Sequence, residues 1–295
     1  MSLVVNHNLM AAHSSRYLNT HYKALSDSTR KLSSGLRVET AADDAAGLAI
    51  RELMRADIAA LNQGVRNAND GISLIQTADG ALGVIDEKLV RMKELAEQAA
   101  TGTYDSTQRL IIDSEYQQMA SEITRIANAT DFNGIKLLDG NLSSDTHDGT
   151  GLVSTGKLKI HFGTANDSAE DYYYIQIGDS TASALGVGNA NGGGAGHDIS
   201  TQANAQKALD AINNAIVSKD NIRAHLGALQ NRLENTITNL EVQSENLQSA
   251  ESQISDVDVA TEMTNFVRNQ ILTQSAVSML GQANSLPQMA LSLIG

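Results

Sequence analysis

The residues that could do chemistry in this 295-residue chain are scattered, and they form no recognised catalytic or metal-binding pattern. The seven histidines are never spaced four apart as ligand pairs on a helix, and the sequence contains no cysteine for a zinc-thiolate site or a disulfide. Zinc-protease, phosphate-loop, nucleophile-elbow and calcium-loop strings do not occur. Asp43 and Asp44 could bind a cation, but adjacent helical positions diverge by about 100°, which favours a helix start or an ion pair. We therefore expect no enzyme, metal or cofactor.

Apolar residues recur at three- and four-residue spacing in two long segments, one towards each end of the chain. In the second segment, leucine or isoleucine occupies five consecutive seven-residue steps: Leu226, Leu233, Leu240, Leu247 and Ile254. Such spacing places a narrow apolar seam along a helix, which must pair with another helix to bury it. We expect a mainly α fold: a long antiparallel coiled-coil or bundle rod formed by both chain ends, with a small β hairpin from the middle. The expected rod core comprises Ile58, Leu61, Val65, Ile72, Ile75, Leu82, Leu89, Leu226, Leu233 and Leu240.

Composition excludes several classes of function. The formal net charge is −13, which argues against nucleic-acid binding and against an anionic membrane surface. Aromatic residues make up 3% of the chain and proline occurs once, so thin helix–helix seams and long helices are favoured over a compact aromatic core. No apolar run is long enough to cross a membrane, and the N-terminus has no signal-peptide pattern. We expect no membrane insertion.

Turn and capping signals predict three helices in the first half of the chain. The first covers residues 1–36 and ends at a serine-glycine interruption. The second begins within 41–50 and continues to about Ala100, where a Thr-Gly-Thr sequence ends it. The third covers residues 105–130 and starts from an aspartate or serine cap.

The middle and the C-terminal part show different periods. Asn133-Gly134 indicates a tight turn, and alternation over 158–162 and 175–177 predicts two strands that pair as a hairpin. Residues 186–196 do not match the dinucleotide fingerprint and are interpreted as a flexible glycine-rich surface loop. The helical pattern returns at Thr201 and continues to about residue 286, which would be roughly 120 Å of helix if unbroken.

Two terminal signatures resemble those of bacterial flagellins. The first is RKLSSGLRVETAADDAAGLAIRELMRADI at residues 30–58, and the second extends from RAHLGALQNRLENTITNLE to SLPQMALSLIG over residues 223–295. Together with ATDFNGIKLLDG at 129–140 they carry a likeness to the subunit of the flagellar filament. The likeness fails only in the middle, where flagellins generally diverge.

The resemblance implies a domain organisation in which both chain ends pair. Residues 141–199 would supply a short β element and the glycine-rich loop, without a sizeable outer domain. The remaining divisions are an inner terminal coiled coil of 1–32 with 256–295, a spoke connector of 33–44, and a helical rod of 45–140 with 200–254. The implied inter-subunit seam comprises Leu18, Leu25, Leu32, Leu247, Ile254, Met263, Val267, Ile271, Leu272 and Leu280.

The resemblance also implies function, partners and location. The chain would be a structural subunit that self-assembles into an extracellular flagellar filament for swimming. It would be exported unfolded by the flagellar type III apparatus without a cleaved signal peptide. Expected partners are further copies of the chain, an export chaperone, the filament cap and hook-associated proteins. A hook–filament junction protein is the alternative, although such proteins usually depart from the AADDAAGLAI and QANSLPQMALSLIG strings that are intact here. An enzyme on this scaffold would need an inserted catalytic domain and motif.

A vertebrate innate immune receptor is a further implied partner, since flagellin rods are recognised by one. The motif for that contact falls on Arg91, Glu94 and Leu95, with Glu115 on the facing helix. Met119 stands where a basic residue often occurs. An exposed helix face with charge pairs three residues apart would explain Arg91 and Glu94 equally well.

Overall fold

A computed structural model describes residues 8–148, 155–167, 170–188 and 198–294. The fold is mainly α with a small β element. The helices of the described part are α1 Leu9–Ser34, α2 Ala45–Ala100, α3 Ser106–Ala129, α4 Gln202–Ser255 and α5 Val259–Ile294. The strands there are β1 Asp131–Phe132, β2 Ile135–Lys136, β3 His147–Asp148, β4 Thr155–Gly156, β5 Leu158–His161 and β6 Tyr172–Ile175.

Short polar side chains and glycine set the helix ends. Asn8 caps α1 by accepting from the Ala11 N–H at 2.9 Å, and Gly35 closes it in the left-handed region with φ 74°. Asp105 and Gln108 form a reciprocal capping box at the start of α3. These ends lie close to those that the sequence predicts. The structure places the start of α1 at Leu9, with residues 1–7 outside the described part.

The chain divides into two compact units, Met1–Ile58 with Glu245–Gly295, and Ala59–Ser244. In the first unit α1 packs antiparallel to α5. The Asn8 side chain donates to the Ala283 carbonyl at one end of the pair, and the Val257 N–H donates to the Gly35 carbonyl at the other.

The second unit contains the fully buried apolar core. In it α2 is antiparallel to α4, because Asp86 pairs with Lys219 and Asp79 pairs with Arg223 further along. The core includes side chains of α2, α3 and α4 that are 0% exposed: Leu82, Ile85, Leu89, Met92, Tyr116, Ile123, Ala208 and Ile212. Burial raises the pKa of the Tyr116 phenol well above its usual range.

Three antiparallel strand pairs occur in the described residues: β1 with β2, β3 with β4, and β5 with β6. Asn133 and Gly134 both have positive φ in the predicted turn between β1 and β2. In the β5–β6 hairpin Ile160 pairs with Tyr173, and both side chains pack against the core. The hairpin and its first strand at 158–162 were predicted, but the second strand, predicted at 175–177, is Tyr172–Ile175 and shares only Ile175 with the prediction. The β3–β4 pair was not predicted, because two-residue strands show no detectable alternation of apolar and polar residues.

The helical stretch predicted from residue 201 to about residue 286 is interrupted once. Residues 256–258 leave helical geometry, so α4 and α5 are separate helices, and α5 continues to Ile294, beyond the predicted end near residue 286. The physical reason is long-range pairing with the N-terminal connector. Leu36 and Asp256 form an antiparallel bridge, and the Arg37 N–H donates to the Ser255 carbonyl.

Helix α2 approaches the hairpin so closely at Gly64 that no side chain fits. A Cβ there would lie 2.0 Å from the Phe162 carbonyl oxygen, whereas a Cβ at Gly80 of the same helix meets nothing within 4 Å. Gly64→Ala is therefore expected to lower the free energy of unfolding by about 1–3 kcal/mol. Gly80→Ala is expected to raise it by about 0.5–1 kcal/mol, because alanine favours a helix. Denaturant unfolding of both variants checks this, and equal shifts would contradict the close approach.

Candidate assembly surface

The α1–α5 pair leaves most of its large apolar side chains in contact with solvent. Among the described side chains, the buried residue of α1 is Ser28 and the buried apolar residue of α5 is Ala283. The exposed apolar face, as we name it, has side chains that are 38–65% exposed: Leu9, Met10, Tyr17, Tyr22, Val259, Met263, Val267, Ile271, Leu272, Val277, Met279 and Met289. Exposed apolar area on this scale is typical of surfaces that interact with other proteins or with membranes.

Of the residues in the predicted inter-subunit seam, some are exposed and the others are half-buried. Met263, Val267, Ile271 and Leu272 lie on the exposed apolar face of α5. The other six are half-buried within the first unit: Leu18, Leu25, Leu32, Leu247, Ile254 and Leu280. A two-helix pair can half-bury one stripe on each helix, and the rest of α5 needs further helices to cover it.

The predicted rod-core residues lie deeper. Seven of them are at most 7% exposed: Leu61, Ile75, Leu82, Leu89, Leu226, Leu233 and Leu240. Val65 and Ile72 are half-buried in the second unit, and Ile58 is half-buried at the boundary of the first. The heptad positions of α2 and α4 therefore find partner helices inside the same chain.

The prediction missed exposed apolar residues that do not fall on the α5 seam, such as Val277 and Met279. Helix α5 carries only two charged residues, Glu262 and Arg268, and none between Asn269 and Ile294. Its apolar residues therefore extend over more than one face. This scarcity of charge is a signal in the sequence from which a wider contact surface could have been inferred.

A polar cluster orders the connector between α1 and α2. The Arg30 guanidinium pairs with Asp43 at 3.0 Å and lies 3.5 Å from Glu39. The Asp43 carboxylate also accepts from the Thr40 N–H and hydroxyl, both at 3.0 Å. These bonds, with the Thr40 N–H the largest contribution, lower the pKa of Asp43 from 3.8 to about 2.

The neighbouring aspartate starts α2. The Asp44 carboxylate accepts from the Ala46 and Gly47 N–H groups at 3.0 Å, which is an N-terminal cap. A Cβ at position 47 would lie 2.5 Å from that carboxylate, so a larger residue there would displace the Asp44 side chain from its present position. Asp43 thus forms an ion pair and Asp44 caps the start of α2, which are the two roles that the sequence pattern favoured. Within the described residues no cluster of three or more His, Cys, Asp or Glu side chains could hold a metal ion.

The predicted receptor-contact residues divide between surface and core. Arg91 bonds Glu115 at 2.7 Å and Glu94 at 2.9 Å, which links α2 to α3. The hydrogen bonds that the Arg91 guanidinium donates, to Glu115 first and then to Glu94, raise its pKa above the usual value. Leu95, by contrast, is 1% exposed and belongs to the core. Its side chain is therefore not accessible to a protein partner in this conformation.

Comparisons with known proteins define the class to which this architecture belongs. Residues 5–143 match the family model described as the bacterial flagellin N-terminal helical region, and residues 209–294 match the C-terminal helical region. Flagellin of Halalkalibacterium halodurans is 43% identical over 99% of this chain and 100% of its own length. The flagellar filament 33 kDa core protein of Treponema phagedenis is 41% identical, with the same coverage. The crystal structure of Bacillus cereus flagellin is 29% identical, covering 63% of this chain and 94% of that one, with a TM-score of 0.46.

The two terminal family matches and the full-length relatives define a structural protein of the flagellar filament, and this chain belongs to the bacterial flagellin family. It is a structural subunit of the flagellar filament and not an enzyme. The matching families and relatives favour this assignment over the hook–filament junction alternative. None of the helices in the described part of the chain is both long and apolar enough to cross a membrane.

The Asp43 cluster makes the connector sensitive to acid. Because the folded-state pKa of Asp43 is depressed, its contribution to stability is complete above about pH 4 and is lost as the pH falls through about 2. An NMR titration of the Thr40 amide proton should give a midpoint near pH 2. A midpoint near the ordinary value of 3.8 would mean that the Thr40 and Arg30 bonds are not made in solution.

Proposed function

We propose that the exposed apolar face of α1 and α5 is the surface through which copies of this chain bind one another in the filament. The observation that carries this proposal is the contrast in burial between the two units. The second unit encloses its core, whereas the first leaves side chains such as Ile271 at 56% and Met279 at 60% exposed. Burying a side chain of this size contributes about 1.5–3 kcal/mol. A face of twelve such residues favours association strongly.

We infer from the same contrast that the chain is divided into segments with different positions in the filament. Residues 1–32 and 256–295 form the inner coiled coil, and residues 33–44 form the spoke. Residues 45–140 with 200–254 form the rod, and 141–199 the small β element and loop. The helix breaks at residues 35–44 and 256–258 support the first boundary. The compact units divide at residues 58 and 244, which lie inside the two proposed rod segments. Residues 149–154, 168–169 and 189–197, which include most of the glycine-rich loop, lie outside the described residues.

The proposal extends to the export route and to the partners other than copies of this chain. A chain without cysteine cannot be trapped by disulfides while it passes unfolded through a type III channel. Before assembly the apolar residues of α5 need cover, which an export chaperone would supply. At the filament ends the same face is left without a neighbouring copy, so the cap and hook-associated proteins would bind there. Location outside the cell without a cleaved signal peptide belongs to this proposal.

A charge on the exposed apolar face should prevent assembly. In Ile271→Asp, the carboxylate would have to enter an apolar contact without a partner, at a cost of several kcal/mol. We expect the critical concentration for salt-induced polymerisation to rise at least a hundredfold. Sedimentation of filaments at graded protein concentrations measures it.

Val217→Asp is the matched control, because Val217 is 58% exposed on α4 of the second unit. It places the same charge on an equally exposed helical valine outside the face. We expect filaments of this control variant at the normal concentration. An unchanged critical concentration for Ile271→Asp would contradict the proposed surface, and equal losses in both variants would indicate a nonspecific effect of charge.

We further propose that Arg91, Glu94 and Glu115 form the contact for a vertebrate innate immune receptor. Leu95 would contribute only indirectly, through its packing in the core beneath them. The support is an exposed, ordered ion-pair cluster on two adjacent helices, in which all three side chains are 44–61% exposed. Arginine anchors of this kind contribute strongly to protein interfaces when they become desolvated.

Arg91→Ala should therefore weaken receptor activation by soluble monomer by about tenfold, measured with a reporter cell line. Arg125→Ala is the control, since Arg125 forms a similar exposed pair with Glu122 on α3. Full activity of the Arg91 variant would contradict the contact. An equal loss in the control would mean that the receptor detects the surface charge of α2 and α3 in general rather than the Arg91 contact.

A further inference from the structure

Both helix breaks of the first unit lie side by side. The connector that follows α1 begins at Gly35, and the break between α4 and α5 covers residues 256–258. The two pair through the Leu36–Asp256 bridge. The Val257 N–H donates to the Gly35 carbonyl at 3.0 Å, and the Arg37 N–H donates to the Ser255 carbonyl at 2.6 Å.

The Arg37 side chain adds two more bonds at the same place. Its guanidinium donates to the Ile254 carbonyl at 2.6 Å and to the Gln253 carbonyl at 3.1 Å. Arg37 thus supplies donors to three of the last four carbonyls of α4, which have no partner within their own helix. A positive charge at a helix C-terminus is also favourable, because the carbonyl ends of the peptide dipoles meet there. Ser255 is only 1% exposed, so water is a poor substitute for the main-chain N–H that its carbonyl accepts from. The two guanidinium bonds, to the Gln253 and Ile254 carbonyls, lie at the surface.

The local sequence gives little reason for α4 to end where it does. No glycine or proline occurs between Gly227 and Gly281, and these are the residues that ordinarily stop a helix. Asp258 caps the start of α5 by accepting from the Ala260 N–H at 3.0 Å and the Thr261 hydroxyl at 2.7 Å. A start signal for α5 is therefore present, but the stop signal for α4 comes from the other end of the chain.

We propose that Arg37 is the positioning residue that ends α4 and thereby fixes the direction in which α5 leaves it. Without Arg37 the carbonyls of α4 regain partners most simply by continuing the helix through residues 256–258. Helix α5 then starts in a different direction, and its apolar residues no longer align with those of α1. This inference rests on the proposed assembly surface, because α5 carries most of that surface. It assigns to an N-terminal residue control over the geometry of a C-terminal helix.

Substitution of Arg37 in the full-length chain is the first part of the test. Arg37→Ala should raise the critical concentration for polymerisation about tenfold, because the two charge-assisted hydrogen bonds to the Gln253 and Ile254 carbonyls are lost. Arg37→Lys should give an intermediate value, because an ammonium retains the charge without the planar fork. Arg55→Ala is the control; Arg55 is exposed, pairs only with Glu52 one turn away among the described residues, and should polymerise normally.

A disulfide across the bridge separates positioning from a general loss of stability. The natural chain has no cysteine, so Leu36→Cys with Asp256→Cys introduces a single pair. Bridged antiparallel residues have Cα atoms roughly 4.5–5.5 Å apart, within the range that a disulfide spans. In an Arg37→Ala background, oxidation should restore the critical concentration to within about twofold of the natural value, and reduction should remove the rescue.

Two results would overturn the proposal. One is an Arg37→Ala chain that polymerises at the natural critical concentration. The other is an oxidised, cross-linked Arg37→Ala chain that assembles no better than its reduced form. Ile271→Asp in the natural background distinguishes these failures from a failure of the assembly surface. If Ile271→Asp blocks polymerisation while Arg37→Ala does not, the surface stands and the positioning role falls. If Ile271→Asp has no effect, the surface on which the inference rests is itself wrong.

Discussion

Narrow apolar seams that no single helix can bury are the constraint on which the rest of this structure depends. In the second unit the seams of α2, α3 and α4 meet one another, and residues such as Leu82, Leu89 and Ile212 become fully buried. In the first unit α1 and α5 pair with each other. They half-bury one stripe each and leave large apolar side chains exposed along α5. One repeating pattern therefore yields a closed core where three helices pack together and an exposed apolar surface along the α1–α5 pair. A filament subunit needs both properties.

Local signals in the sequence determine most of the fold. The Asp105 capping box, the glycine after α1 and the Asn133-Gly134 turn act over a few residues, so the limits of α2, α3 and the first turn could be predicted closely. The end of α4 could not, because its stop depends on pairing with Gly35 and Arg37, more than 200 residues away in the chain. The β3–β4 pair escaped prediction because its strands have two residues each.

The candidate site was predictable in part. The resemblance to flagellins implies Met263, Val267 and Ile271 as seam residues, and these are exposed in the isolated chain. Spacing cannot say whether a seam closes within one chain or between chains, because that depends on how many helices the fold brings together. Burial supplies the missing information: 0% exposure for Leu89 against 56% for Ile271. The same measure moves Leu95 from the predicted surface cluster into the core, since periodicity alone does not separate it from its neighbour Glu94.

Methionine oxidation tests most directly whether copies of this chain cover the exposed apolar face. Met10, Met263, Met279 and Met289 lie on that face at 44–60% exposure, whereas Met92 is 0% exposed in the second unit. Brief peroxide treatment followed by peptide mass analysis reports each site. We expect the four surface methionines to oxidise rapidly in the monomer and to be protected at least tenfold in filaments, with Met92 protected in both. Equal oxidation of Met263 and Met279 in monomer and filament would contradict the account.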